Sequence, residues 1–290
     1  MKKKTQKYLK RQSMLTNNYE VFHYSDRELD KVNLHHHDFY ECYFFISGNV
    51  TYLIEGKTYP LLPGDIILIN SRELHQPIIN TKEIPYERIV LWINSTFLNS
   101  LSTETADLKR CFEDHKKENV IRADIESQQI VKVILNKLLN LDHYNGMGKE
   151  LLYKAYIVEL FITLNNLLFL NSNNLKIKIE KSRQIDEIIQ YINNHLEEEI
   201  KIEDLSNKFF ISKFHLLREF KKYSGTTIHK FIIQKKLILA KELILTGIPI
   251  IQVYEQCGFG DYSNFFRAFK NEYDVTPKQF LALMRRDNTS

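Results

Sequence analysis

The 290-residue chain is poor in cysteine. Cys42, Cys111 and Cys257 are its only three. They lie far apart and form no C-x-x-C pair, which argues against a disulfide framework or a zinc knuckle and fits a reducing compartment. The N-terminus is basic, with Lys2, Lys3, Lys4, Lys7, Lys10 and Arg11. No apolar segment follows, so it does not read as a secretory signal. Residues 151–170, the most apolar stretch, are broken by Lys154, Glu159, Asn165 and Asn166 and read as too polar to span a bilayer. A soluble cytoplasmic protein without a membrane partner is expected. A general excess of positive charge is missing too. Six basic residues fall in the first eleven, and the remainder holds 34 basic against 36 acidic side chains. Any nucleic-acid argument must therefore rest on local placement of charge. No nucleophile–His–acid set, phosphate loop or nucleotide fingerprint is visible. The chain is accordingly read as no enzyme, with no cofactor and no metal.

What is present suffices for packed cores: 43% hydrophobic and 12% aromatic residues. The length favours two domains. Residues 1–20 read as a basic tail. Residues 21–100 are β-rich. Val50, Tyr52 and Ile54 alternate with other residues as in a half-buried strand, and Glu55-Gly56-Lys57 suits a hairpin turn. Pro63-Gly64 marks another turn, residues 66–69 form a buried strand, and residues 89–93 form a further one. A small barrel or sandwich is expected. Residues 101–170 change to a helical period. Ile130, Ile134, Leu138 and Leu141 make one stripe, and Leu152, Tyr156, Leu160, Leu164 and Leu167 a second. The second helix is also apolar at Leu151, Val158 and Ile162, so it is read as packing on the core and on a second copy in a homodimer, with burial in the core alone as the bland alternative. Residues 171–180 read as a linker. From residue 181 to 290 the pattern is helical throughout, beginning with Ile185, Ile188, Ile189 and Ile192 on one face. The expected fold class is multidomain α+β: a β-barrel with a helical pair, then an all-α domain.

The all-α part repeats itself. Leu217-Arg218-Glu219-Phe220-Lys221 is echoed by Phe266-Arg267-Ala268-Phe269-Lys270, 49 residues later. Upstream, Ile202-x-x-Leu205 matches Ile250-x-x-Val253 at an offset of 48, so the second copy carries one extra residue in its turn. Each copy has the grammar of a helix-turn-helix. Residues 202–209 form a short helix, Phe210-Ile211 a turn, and Ser212 an N-cap. In the second copy Pro249 suits a first helical turn, Gly258 a left-handed helix end, and Asp261 or Ser263 a cap. Leu216, Phe220, Phe265 and Phe269 fall on the buried faces. Phe214, Leu217, Arg218 and Lys221 point outward in copy one, and Tyr262, Asn264, Arg267 and Lys270 in copy two. Arginine can bond guanine bidentately and asparagine adenine, while lysine holds phosphates. The bland alternative is a solvated helical face; the recurrence after two capped turns favours a pair of DNA readers. Between them, residues 228–246 read as one long helix of roughly 27 Å, close to the ~34 Å between successive major grooves.

Residues 202–280 resemble the paired helix-turn-helix module of the AraC/XylS family of bacterial transcription regulators. The carrying residues are Ser212, Leu216-x-Arg218-x-Phe220-Lys221, Gly225-x-Thr227, Ala240-x-x-Leu243, Gly258-Phe259-x-Asp261, Ser263-x-Phe265-x-Arg267-x-Phe269-Lys270 and Thr276-Pro277. The resemblance implies recognition positions at Phe214, Leu217 and Arg218, and at Tyr262, Ser263, Asn264 and Arg267. The chain departs from the family at Ser206 and Tyr254, where alanine is usual, and at Asp274, which replaces a glycine. Leu217 stands where a polar base reader is common. More weakly, His35-x-His37-x-x-x-Glu41, Gly48, Pro63-Gly64-Asp65 and His75 resemble a cupin-type sensor barrel. That likeness implies an effector site built from His35, His37, Tyr40, Glu41 and His75. It also implies partners: double-stranded DNA, RNA polymerase, a small-molecule effector and a second copy of the chain.

His35, His37 and Glu41 also have the spacing of a cupin metal motif, and imidazole with carboxylate suits Fe, Mn, Ni or Zn. On a strand, residues two apart point the same way, which would let the two histidines converge and leave His36 exposed. The third histidine of such sites is replaced by Ile67, and His75 could substitute only from elsewhere on the loop, so ligand contact or a structural role ranks ahead of a metal. Three readings result: an effector-responsive regulator, a cupin metalloenzyme fused to a DNA-binding domain, and a regulator whose barrel binds no small molecule.

Overall fold

The structure is a computed structural model that describes residues 14–29, 32–114, 117–169 and 182–287. Most of the basic tail and all of the 171–180 linker lie outside the described residues. Among the described residues the chain divides into two compact units, the first ending at residue 169 and the second beginning at residue 182, with residues 55–57 grouped with the second.

The first unit contains β1 (Tyr19–Asp26), β2 (Tyr40–Ser47), β3 (Asn49–Ile54), β4 (Lys57–Pro60), β5 (Ile66–Ile69), β6 (His75–Thr81), β7 (Tyr86–Ile93) and β8 (Val120–Ile121). They form a five-stranded sheet in the order β1-β7-β2-β5-β8 and a three-stranded sheet in the order β4-β3-β6. β8 comes from beyond residue 100, so the sheet recruits a strand from the segment read as purely helical. The expected turn between β3 and β4 places Glu55 and Gly56 at positive φ, 47° and 78°. Two consecutive left-handed residues match the twist of a tight hairpin.

Alternation along the central strands sorts the core into two layers. Tyr40, Cys42 and Phe44 of β2, Ile66 and Leu68 of β5, and Ile89, Leu91 and Ile93 of β7 point to one face. Tyr43, Phe45, Ile67, Ile69 and Val90 point to the other, where they meet Val50, Tyr52 and Ile54 of β3. The first face is covered by helices. These are α1 (Ser95–Ser100), α2 (Arg110–Glu113), α3 (Ile125–Asn140) and α4 (Lys149–Phe169). On α3 the inner residues are Val131, Ile134, Leu135 and Leu138. Ile130, expected in the stripe, is exposed because the helix presents the face one residue further on. α4 buries Ile157, Leu160, Phe161, Leu164 and Leu167 against the same core. By length and composition α4 could cross a membrane, contrary to the sequence reading, with a mean hydropathy of 1.3. Its inner apolar face instead has a protein partner, while Leu151 and Ile162 stay exposed.

The second unit is helical: α5 (Arg183–Asn194), α6 (Ile202–Lys208), α7 (Lys213–Ser224), α8 (Ile228–Leu245), α9 (Ile250–Gln256), α10 (Tyr262–Tyr273) and α11 (Pro277–Asp287). α5 buries Ile185, Ile188, Ile189 and Ile192, the four its period selects. α8 is the shared spine. Phe220 of α7 meets Phe231 of α8 edge to face, with ring centroids 5.3 Å apart. Further along, Leu237, Ala240 and Ile244 pack with Val253, Cys257, Phe259, Phe265, Phe269 and Phe280. Burying each such phenylalanine stabilises the fold by about 1.5–3 kcal/mol.

Candidate DNA reader and effector cavity

Each reader helix begins at a side-chain cap. Ser212 accepts a hydrogen bond from the amide of His215, and Asp261 one from the amide of Asn264. These bonds satisfy donors that a helix start leaves unpaired. The cap that competed with Asp261 in sequence, Ser263, lies inside α10. Pro249 is the residue before α9 rather than its first helical residue. Leu216, Phe220, Phe265 and Phe269 are fully buried, which fixes the rotation of both helices. Phe214, Leu217, Arg218 and Lys221 of α7 are consequently exposed, as are Tyr262, Ser263, Asn264, Arg267 and Lys270 of α10. The two faces are prepared differently. Arg267 donates to Asn264 Oδ1 at 2.6 Å, and Asn264 in turn bonds the Asp261 carboxylate. On α7, Arg218 lies 3.2 Å from Glu219 and 3.1 Å from the His215 ring. Tyr254, the bulky departure in α9, packs edge to face on Tyr262, with centroids 5.7 Å apart, and so abuts the reader surface.

The turns reveal a residue that the sequence reading passed over. Phe210 has φ 51° and is 96% exposed. Its counterpart at offset 48 is Gly258, with φ 62°. Glycine adopts this conformation without the Cβ clash that a phenylalanine bears. The offset used to find the repeat would have exposed the mismatch. Asp274 ends α10 at φ 58°, matching Gly225 at φ 75° after α7. The aspartate substitutes because its short polar side chain tolerates the left-handed region.

Inside the first unit lies a small cavity, open in part to solvent. Tyr24, Tyr43, Tyr52, Tyr86 and Trp92 supply an aromatic lining, with Arg88, Glu41, His35 and His37 as polar groups. Four of the five expected effector residues gather here, since buried His75 has its ring centroid 4.3 Å from that of His35 and 4.9 Å from that of His37. Tyr40 does not join them. It precedes Glu41 on β2 and therefore faces the helices, where it stacks on Phe112 and its hydroxyl bonds Glu113. The histidines converge for a reason other than the one expected. His35 is not on a strand; it is held by a two-bond bridge, His35 N to His75 O at 3.1 Å and His75 N to His35 O at 2.9 Å. His36, expected to be exposed, is buried.

The electrostatics of the cavity favour neutral rings. Burial, reinforced by His75 and His37, lowers the His35 pKa to about 3. Burial also lowers that of His37, against the pull of Glu41. Tyr43 and Tyr86 share a hydroxyl–hydroxyl bond, and burial pushes the Tyr86 phenol up to about 12. Arg88 lies over the Tyr86 and Tyr24 rings, 4.1 and 4.8 Å from their centroids, and is paired with Asp26. A cation over these faces is attracted by the ring quadrupoles. Tyr43, Arg88 and Trp92 were not foreseen as lining residues. The alternation that carries Glu41 inward also carries Tyr43, and the same period on β7 selects Arg88 and Trp92.

Capped reader helices on a common spine, together with a separate barrel enclosing a polar-aromatic cavity, define a DNA-binding transcription regulator with a ligand-binding domain. A family model described as an AraC-like ligand binding domain matches residues 18–155, and one described as a helix-turn-helix domain matches residues 205–282. The chain belongs to the AraC family of transcription regulators. It is 26% identical over 250 residues to the HTH-type transcriptional activator RhaS of Mannheimia succiniciproducens, covering 84% of this chain and 87% of that one. It is 25% identical over 257 residues to the uncharacterized HTH-type transcriptional regulator YfiF of Bacillus subtilis, covering 87% and 79%. Among solved structures, apo ToxT from Vibrio cholerae aligns over 92% of this chain and 97% of its own, at 16% identity and a TM-score of 0.38. As a member of this family the chain binds double-stranded DNA.

Proposed function

We propose that the protein is a cytoplasmic, effector-responsive activator that reads two adjacent major grooves and catalyses no reaction of its own. The observation that carries this reading is the doubled reader: two capped helices of equal length with polar or aromatic residues exposed at matching positions. α8 has 18 residues and would span roughly 27 Å, near the groove repeat. Arg218 and Arg267 are assigned to base edges, with Asn264 beside Arg267. Lys221 and Lys270 are assigned to phosphates. Phe214, Leu217, Tyr262 and Ser263 supply shape and apolar contact, including to thymine methyl groups.

The effector is a small polar organic molecule that stacks on the cavity tyrosines and Trp92 and bonds His35, His37, Glu41 or His75. Its binding changes transcription only if it favours one arrangement of the protein over another. The exposed Leu151 and Ile162 of α4 support pairing with a second copy. The activating sense is supported by the name carried by the RhaS relatives, transcriptional activator, and RNA polymerase is the partner such an activator would contact.

Selection of random duplex DNA by the purified full-length protein at physiological salt tests the reading. The expected outcome is an enriched motif of two elements about one helical turn, or 10–10.5 base pairs, apart. A folded protein that enriches no motif, with or without small molecules that raise its melting temperature, would overturn it.

A further inference from the structure

The barrel carries an arrangement that an organic effector does not explain. Three histidines each place Nδ1 against a backbone carbonyl: His35 on Asn33 O at 2.9 Å, His37 on Phe39 O at 2.8 Å, and His75 on Glu73 O at 2.9 Å. A carbonyl oxygen can only accept, so each Nδ1 carries the hydrogen and, in the neutral ring, each Nε2 presents a lone pair. Two of those lone pairs are turned on one carboxylate. His37 Nε2 lies 3.0 Å from Glu41 Oε2, and His75 Nε2 lies 3.5 Å from the same oxygen. His75 Nε2 is buried and, beyond this long contact, meets no hydrogen-bond partner among the described residues. Acceptors are thus packed against an acceptor, an arrangement that repels unless something positive stands among them. A proton on His37 would satisfy one of the two contacts and leave His75 unanswered. Arg88, the cationic side chain of the cavity lining, is committed to Asp26 and the Tyr86 carbonyl.

We propose that His37, Glu41 and His75 bind a divalent first-row transition-metal ion through the two Nε2 atoms and the Glu41 carboxylate. All three side chains are buried, and their donor atoms lie within 4.8 Å of one another. The ligand atoms of a tetrahedral zinc stand about 3.3 Å apart, given zinc–nitrogen bonds of 2.0–2.1 Å. The His37–Glu41 and His75–Glu41 separations already match that spacing to within a few tenths of an ångström. The Nδ1–carbonyl bonds are the outer-shell contacts that orient metal-binding imidazoles and fix their tautomer. Trp92 Nε1, 3.4 Å from Glu41 Oε1, steadies the other carboxylate oxygen. The third imidazole is His75, which substitutes for the histidine missing at position 67. Ile67 faces the barrel core, and His75, at the start of β6, is brought in by its bridge to His35. His35 lines the cavity beside the cluster, so any remaining coordination position faces the space assigned to the effector. The inference therefore extends the reading of the barrel as a binding site, yet stands on the ligand geometry alone.

The test uses full-length protein stripped with a chelator and dialysed against Zn²⁺ or Co²⁺. We expect one ion retained per chain by elemental analysis, a visible Co²⁺ absorption of nitrogen–oxygen ligation, and a higher melting temperature with metal than without. Glu41→Gln and His75→Gln should each weaken Zn²⁺ binding by about 100-fold or more, at or beyond the upper end of the loss seen when an outer-shell partner is removed. Metal-free melting curves show whether each variant still folds. The wild-type stoichiometry and Co²⁺ spectrum decide the matter even if a variant does not. Retention no greater than that of chelator-treated protein, or equal retention in folded His75→Gln, would overturn the inference. If retention fails while the same preparation still selects a DNA motif, the metal site falls and the regulator reading stands.

Discussion

The two helix-turn-helix units share one spine and one cap geometry, yet they present different surfaces. At offset 49, Phe214 and His215 of the first unit become Ser263 and Asn264 of the second, while Arg218 and Arg267 coincide. The first unit exposes Phe210, Phe214 and Leu217; the second has Gly258 at the turn and holds Arg267 on Asn264. The left-handed positions are exchanged as well. Unit one has phenylalanine in the turn and Gly225 after the reader helix, whereas unit two has Gly258 in the turn and Asp274 after the helix. Identical backbone requirements are thus met by different residues, and what the units keep in common is their buried face. On the proposed reading, α7 would make apolar and shape-dependent contact and α10 hydrogen-bonded base contacts.

Breaking the shared buried face should have the largest effect. Phe269→Ala removes a fully buried ring from the core of the second unit and should destabilise it by about 3–5 kcal/mol in urea unfolding. A loss well under 1 kcal/mol would show that α10 is not anchored as described. Next comes the turn. Gly258→Ala forces a side chain into φ 62°, with its Cβ 2.7 Å from both the Glu198 carbonyl carbon and Lys236 Nζ. The expected cost is about 1–3 kcal/mol, and a neutral result in thermal melts would mean that this turn can relax. The base-reading contrast is sharpened by Arg267→Ala. It should weaken binding to the selected site by about 1–3 kcal/mol and relax base preference at one position. Equal loss on random DNA, measured by fluorescence anisotropy, would reassign Arg267 to phosphate. The smallest effect is expected from Phe210→Gly. Relief of the left-handed strain, offset by the greater chain freedom of glycine, should raise stability by no more than about 1 kcal/mol. A clear loss of stability would instead give Phe210 a packing role that its exposure does not suggest.

The reader surface was legible because its signal is local. Buried residues four apart on one helix, preceded by a cap, dictate which side chains face outward, and the repeat shows the pattern twice. Strand alternation, another local rule, was enough to separate the two barrel layers, and applied strictly it would have excluded Tyr40 from the cavity. The cupin likeness instead placed Tyr40 in the effector site beside Glu41.

The sequence by itself determined the helical or strand period of the long elements, the cap of α7, the inward faces of both reader helices and the family. Each of these depends on residues within a few positions of one another, where backbone geometry leaves little choice. Only the tertiary structure decided that Val120–Ile121 extends the sheet, that His36 is buried, and by what route His75 reaches His37 and Glu41, with which the cupin likeness had grouped it. The last is a matter of a long-range bridge: 40 positions separate His35 from His75, and no periodicity spans that distance. Local rules fix which way a side chain points, but which side chains then meet depends on how strands far apart in sequence pair.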